Sequence, residues 1–222
     1  MPLDYRFRWN NYDHPNLVAA FDMSTRTPGG LMKNLAKTGA VYDGTINGVF
    51  TPANPLIRAK KTPCMDFGGV NEYLSLANPI SGAANFSIIT WVNPDSVNGK
   101  MIWGRELAGD NYLWFWPTVV GKLEFNFNTL DFRTPQRYIP SKTYMVISLI
   151  RDFSQEIWVD GMPQALRTIA AHAPYPADPN FFIGQFNGGI LRMDGRLDNM
   201  MFYNIALTPA QVWSIYRSSL PR

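Results

Sequence analysis

The stretch Thr143–Gly161, TYMVISLIRDFSQEIWVDG, decides the fold. It reads as two β-strands joined by a polar turn. On the first strand Tyr144, Val146, Ser148 and Ile150 point one way, and Met145, Ile147, Leu149 and Arg151 the other. Apart from the serine and the terminal arginine both faces are apolar, which predicts a strand covered on both sides. On the second, Ile157 and Val159 share one face while Glu156, Trp158 and Asp160 share the other, the alternation of a half-buried strand. Asp160-Gly161 then predicts a tight turn, because glycine enters positive φ without steric cost.

The rest of the chain repeats this style. Its 222 residues suffice for one large β domain. Hydrophobic residues make up 46% and aromatics 14%, enough for a full core; seventeen Gly and seventeen Pro suit short strands joined by many turns. The net charge of +3 is slight and scattered, which argues against a nucleic-acid groove. Arg58, Lys60 and Lys61 form one tight basic cluster, read as a solvated loop. Cys64 is the one cysteine, so no internal disulfide forms; its apolar surroundings make it a buried small hydrophobe rather than a nucleophile.

Residues 1–15 read as an arm in which Tyr5, Phe7 and Trp9 alternate with Arg6 and Arg8. Three aromatics on one side need a surface, either the arm's own domain or a neighbouring subunit. The segment MPLDYRFRWNNYDHP lacks the apolar core of a secretory leader, and no apolar run is long enough to span a bilayer. If Met1 is the true start, the expectation is cytoplasmic synthesis without export by that route.

Residues 16–222 read as one domain. Asn16–Phe21 is its first strand, and Asp22 to about Gly48 a long loop of turns. Thr62–Phe67 and Glu72–Leu76 read as a hairpin about Gly68-Gly69-Val70-Asn71. In Asn85–Asn93, Phe86, Ile88, Thr90 and Val92 face one way and Ser87, Ile89, Trp91 and Asn93 the other. Asn111–Trp116 and Lys122–Asn128 should pair. Short strands follow near Ala165–Thr168, Phe181–Gly184 and Gly195–Tyr203. A closing helix is signalled by Thr208, Pro209 and Gln211, a capping box with proline at the first helical position.

In this order the segments resemble the concanavalin A-like jelly roll, and in particular its laminin G-like and pentraxin-like domains. The resemblance rests on Ala20-Phe21-Asp22 and the loop Thr38–Gly48, then Phe67-Gly68-Gly69-Val70-Asn71-Glu72-Tyr73, then Phe86 through Pro94. It continues through Ile157-Trp158-Val159-Asp160-Gly161, Phe182-Ile183-Gly184, and the run Gly195 to Thr208 before the helix. It implies an all-β concanavalin A-like sandwich of two antiparallel sheets with one short C-terminal helix.

Several chemistries bear on that fold. Glycoside hydrolysis needs two carboxylates about 5 Å apart in a retaining enzyme. The related glucanases carry Glu-x-Asp-x-x-Glu on one strand; here the four glutamates, Glu72, Glu106, Glu124 and Glu156, stand in no such spacing. No catalytic residue is assigned, and the chain is read as not an enzyme. His14 and His172 have no nucleophile elbow beside them, and with Cys64 they cannot build an ordinary zinc site. Calcium is implied by the resemblance, since related domains hold it near the first long loop and the late acidic element. Asp43, Asp194 and Asp198 are its candidate ligands, against the plainer role of capping turns, although Asn34 and Asn199 replace acids common in the family. Glycans stack on exposed rings and hydrogen-bond to amides and acids. If Leu113 and Phe115 face the core, then Tyr112, Trp114 and Trp116 lie together outside, joined by Glu124, Asn126 and Asn128 from the paired strand.

The functional expectation is a non-catalytic structural or decoration protein of a large assembly such as a phage virion. It would dock on capsid or tail-like subunits through the arm and a sheet face, and lie on the particle surface. The alternative is a carbohydrate-binding lectin module that takes surface glycans, with a glycoside hydrolase behind it. Neither nucleic acid nor membrane insertion is expected.

Overall fold

A computed structural model describes residues 8, 10–24, 26–27, 30–57, 60, 62–105, 111–115, 120–127, 130–169, 174–175, 179–185 and 191–220. Two sheets stack face to face. The first runs, edge to edge, β15 (Met162–Thr168), β14 (Ser154–Val159), β13 (Tyr144–Arg151), β8 (Phe86–Pro94), β17 (Asp194–Tyr203), β6 (Cys64–Gly68) and β5 (Thr51–Ala53), and β1 (Leu17–Phe21) also pairs with β17. The second runs β12 (Leu130–Arg133), β11 (Leu123–Phe127), β10 (Tyr112–Phe115), β9 (Lys100–Arg105), β16 (Asn180–Ile183), β7 (Tyr73–Ala77), β4 (Gly44–Asn47), β3 (Leu31–Met32) and β2 (Arg26–Thr27). All these pairings are antiparallel. The expected sandwich with one C-terminal helix is what forms.

The core between the sheets follows the strand alternation. Phe86, Ile88 and Val92 of β8 and Tyr144, Val146 and Ile150 of β13 face Leu113, Phe115, Leu123, Phe125 and Phe127 of the other sheet. Trp103 stacks on Phe181 with centroids 5.4 Å apart. Each large side chain so buried stabilises the fold by about 1.5–3 kcal/mol.

A second core covers the outside of the first sheet. Met145, Ile147 and Leu149 of β13, Ile89 and Trp91 of β8, and Trp158 of β14 pack with Val212 and Ile215 of α1 (Pro209–Ser219). β13 is therefore buried on both faces, as its sequence predicts. β14 departs from the half-buried expectation: Glu156 is only 5% exposed, because its carboxylate accepts from Trp158 Nε1 at 2.7 Å and from Arg151 Nε at 3.2 Å. A buried acid is tolerated when such partners replace water. The helix begins as predicted, with Thr208 Oγ1 accepting from Gln211 N and Gln211 Oε1 accepting from Thr208 N.

The turn between β14 and β15 has Asp160 at φ +52 and Gly161 at φ +78, the left-handed pair of a two-residue hairpin. Asp160 Oδ1 accepts from Met145 N at 2.8 Å, so this acid ties the turn to β13.

Two local expectations change. Thr62–Phe67 and Glu72–Leu76 are not a hairpin: β6 pairs with β17 and β5, β7 with β4 and β16. Gly69, at φ +75, turns the chain from one sheet to the other. Four turn residues serve a corner as well as a hairpin, and the distant partner strands decide. The long loop after Asp22 also holds the short strands β2, β3 and β4 and a 3-10 turn at Gly39–Tyr42. Among the described residues no helix is long and apolar enough to cross a membrane.

Candidate binding face and the buried cation cluster

The candidate face is the outer surface of β10, β11 and β12. Leu113 and Phe115 go into the core, so the intervening Tyr112 and Trp114 go outside. β11 pairs with β10 in the expected register, Tyr112 opposite Asn126 and Trp114 opposite Glu124. The Tyr112 and Trp114 rings meet edge to face, centroids 5.2 Å apart.

Beneath the rings lies Glu124, 1% exposed. Its Oε1 accepts from Trp114 Nε1 at 2.9 Å and Tyr112 Oη at 3.2 Å, and its Oε2 from Arg133 Nε. Burial, with the Glu124 charge beside it, pushes the Tyr112 phenol well above its ordinary range. Asn126 is equally enclosed. Its Oδ1 accepts from Asn111 N at 3.2 Å and its Nδ2 donates to Asp131 Oδ1 at 2.5 Å.

The polar edges of both rings are thus spent on Glu124, while part of each ring remains open. Glu124 and Asn126, expected as ligand contacts, are the support below the rings. Among the described residues, the exposed polar groups on this face are Asp131 and Arg133 of β12, neither of them in the expected set. Their signal was present, since Asp131 and Arg133 alternate with Leu130 and Phe132 and so share a face. Trp116 and Asn128 lie outside the described residues.

The arm aromatics Tyr5, Phe7 and Trp9 also lie outside them. The described end of the arm packs on its own domain: Tyr12 Oη accepts from Asn199 Nδ2 at 3.2 Å, and the 8%-exposed His14 meets the Tyr203 ring at 5.8 Å. Cys64 is buried as expected, its Sγ donating to Asn54 O and its thiol pushed up to about 12 by burial.

The three candidate calcium ligands are apart. Asp43 Oδ1 accepts from Asn34 N at 2.8 Å, closing the first loop. Asp194 pairs with Lys100 at 3.4 Å. Asp198 is fully buried and is met by Lys60, which is no solvated loop residue but 6% exposed. Among the described residues no three His, Cys, Asp or Glu side chains cluster to hold a metal. Calcium therefore does not fit at Asp198, because an ammonium stands where the ion would.

A bulge in β17 builds this cluster. Asp198 pairs with Trp91 and Met200 with Thr90, so the register shifts at Asn199, the bulge residue, at φ +38. Leu197 and Met200 both point into the inter-sheet core, so Asp198 and Asn199 are pushed out together on the other side. Burial raises the Asp198 carboxyl, against the pull of Lys60 and of the backbone amides of Leu56 and Ile57.

With two stacked antiparallel sheets and a helix on one outer face, the molecule is a jelly-roll sandwich. A laminin G-type family model described as the concanavalin A-like lectin/glucanases superfamily matches residues 67–213, and the chain belongs to that superfamily. No curated protein matches it. Among solved structures it is similar to domain 4 of AbnA, a GH43 extracellular arabinanase from Geobacillus stearothermophilus solved with arabinotriose. There the TM-score is 0.66 at 16% identity, covering 89% of this chain and 97% of that one. The binding domain of Paraclostridial Mosquitocidal Protein 1 gives 0.69 at 12% identity, covering 91% of this chain and 52% of that one. Trypanosoma rangeli sialidase with sialic acid gives 0.67 at 16% identity, covering 92% of this chain but only 33% of the sialidase. At these identities the likeness is one of fold.

Proposed function

We propose that the chain is a non-catalytic glycan-binding module that uses the outer face of β10–β12. The observation that carries this is the Tyr112–Trp114 ring pair, open on one side and fastened on the other to the buried Glu124. Sugars present C–H faces that stack on such rings, with hydroxyls at the rim. Asp131 and Arg133 stand at that rim. Rings held before the ligand arrives lose less freedom on binding, which favours affinity. The arabinanase domain solved with arabinotriose supports this reading and makes a neutral oligosaccharide the first probe.

The same geometry argues against hydrolysis here. Both Glu124 oxygens are engaged by Tyr112, Trp114 and Arg133, so the group is not free to shuttle a proton to a substrate. A glycan array followed by calorimetry on wild type and Trp114→Ala tests the proposal.

A second reading, a docking subunit of a larger assembly, is favoured by the edge of the first sheet. Edge strand β15 exposes Met162 and Leu166, 56% and 63%, and Phe153 in the neighbouring turn is 59% exposed. Exposed apolar groups on an edge strand suit a protein contact. Native mass spectrometry tests it: a strictly monomeric full chain removes it.

A further inference from the structure

Lys60 Nζ lies at the meeting point of four oxygens. It forms ion pairs with Asp22 Oδ1 and Asp198 Oδ1. It also approaches Asp22 O at 3.3 Å and Asn199 Oδ1 at 3.4 Å. Both carboxylates, an amide oxygen and a backbone carbonyl form the donor set that a hard divalent cation takes. The opposite oxygen of Asp198 is fixed by Leu56 N at 2.9 Å and Ile57 N at 3.3 Å. The same short segment that supplies these amides supplies the lysine, and Lys60 N donates to Ile57 O at 2.9 Å to set its turn.

We propose that Lys60 is a tethered cation filling a divalent-metal site, so that this jelly roll holds its first strand, its β17 bulge and the residues Leu56, Ile57 and Lys60 together without a metal ion. Three separate stretches meet here: Asp22 just after β1, Asp198 and Asn199 in the β17 bulge, and Lys60 after β5. A calcium ion joining them would need oxygens at about 2.3–2.6 Å and supplementary water. The ammonium carries one charge rather than two, and the cluster has two carboxylates. The remaining negative charge is offset by the two backbone amides on Asp198. Taking the ammonium away leaves the buried Asp198 and the partly exposed Asp22 without it, and a free divalent ion becomes the natural replacement.

The test is thermal unfolding of the full chain and its variants in EDTA and across a CaCl2 titration, with calorimetric titration of Ca2+ into wild type. Wild type is expected to keep one Tm in EDTA and in calcium and to show no calcium heat. Lys60→Ala is expected to lose about 10 °C in EDTA and to recover with rising calcium, and adding Asp198→Asn should abolish the recovery. Lys60→Met, which keeps much of the lysine's bulk without its charge, should be destabilised and stay so. Should Lys60→Ala fail to fold in EDTA, refolding yield replaces Tm and calcium is expected to restore it. Two results overturn the proposal: a wild type stabilised by calcium through Asp198, or a Lys60→Ala chain that gains nothing from Ca2+, Mg2+ or Mn2+.

Discussion

Trp114 Nε1 donates to Glu124 Oε1 at 2.9 Å, so the acid beneath the face orients the ring above it. Glu124 therefore acts through Trp114 and Tyr112. Glu124→Ala leaves three donors facing a hole and is expected to cost about 1–3 kcal/mol in urea unfolding. It should also weaken any glycan by about tenfold through misplaced rings. Glu124→Gln keeps the one oxygen that both rings share but turns an amide NH2 toward Arg133, and should fall between. A Glu124→Ala protein of wild-type stability would contradict the supporting role.

The helix contact at Gly161 gives a second prediction. A Cβ there would lie 2.8 Å from Trp213 Cε3 and 3.0 Å from Tyr216 Cδ1, at a φ of +78 that L residues avoid. Gly161→Ala is expected to destabilise by about 1–3 kcal/mol, from strain and from lifting α1 off its sheet. Increased binding of a hydrophobic dye would report the lifted helix.

The second core predicts a cost as large as the first. Ile147 is fully buried on the helix side of β13. Ile147→Ala is expected to lose about 2–5 kcal/mol, comparable to Ile88→Ala between the sheets. A small loss for Ile147→Ala alone would mean that the outer cover is loose.

Alkaline pH probes the buried phenols. Tyr12, Tyr112, Tyr138 and Tyr203 are all raised by burial above the ordinary 10.0. The fold then holds protons that the unfolded chain releases, so stability is intact below pH 10 and falls as the pH rises toward the folded-state values. Absorbance at 295 nm should show these four ionising together with unfolding. Ionisation of all ten tyrosines near pH 10 with the fold intact would oppose this.

The parts of the fold that depend on local alternation were legible in the residues. Met145, Ile147 and Leu149 announce a covered outer face, and the Thr208–Gln211 box announces the helix. The parts that depend on distant partners were not. Gly68-Gly69-Val70-Asn71 suits a hairpin or a corner equally, and only the location of β17 and β4 separates them. Glu156 reads as a surface acid until Trp158 and Arg151 are seen to enclose it.

The binding face was half legible. Pairing β10 with β11 put Tyr112 and Trp114 outside, given an inward Leu113. That Glu124 and Asn126 would be sealed beneath the rings follows from the bulk of those rings, which residue types alone do not convey. Lys60 was hidden for a different reason. Its neighbours Arg58 and Lys61 make it look like part of a surface run, and its acids lie far away in sequence, at Asp22 and Asp198.

Sugar binding at the Tyr112–Trp114 pair is open to direct measurement. Isothermal titration calorimetry of wild type and Trp114→Ala against the oligosaccharides that score on a glycan array, arabinotriose included, tests it most directly. Wild type should bind saturably, with binding weakened at least about tenfold in Trp114→Ala, whose loss of one donor to Glu124 should cost about 1–3 kcal/mol without unfolding the chain. No array hit, or full affinity in Trp114→Ala, contradicts it.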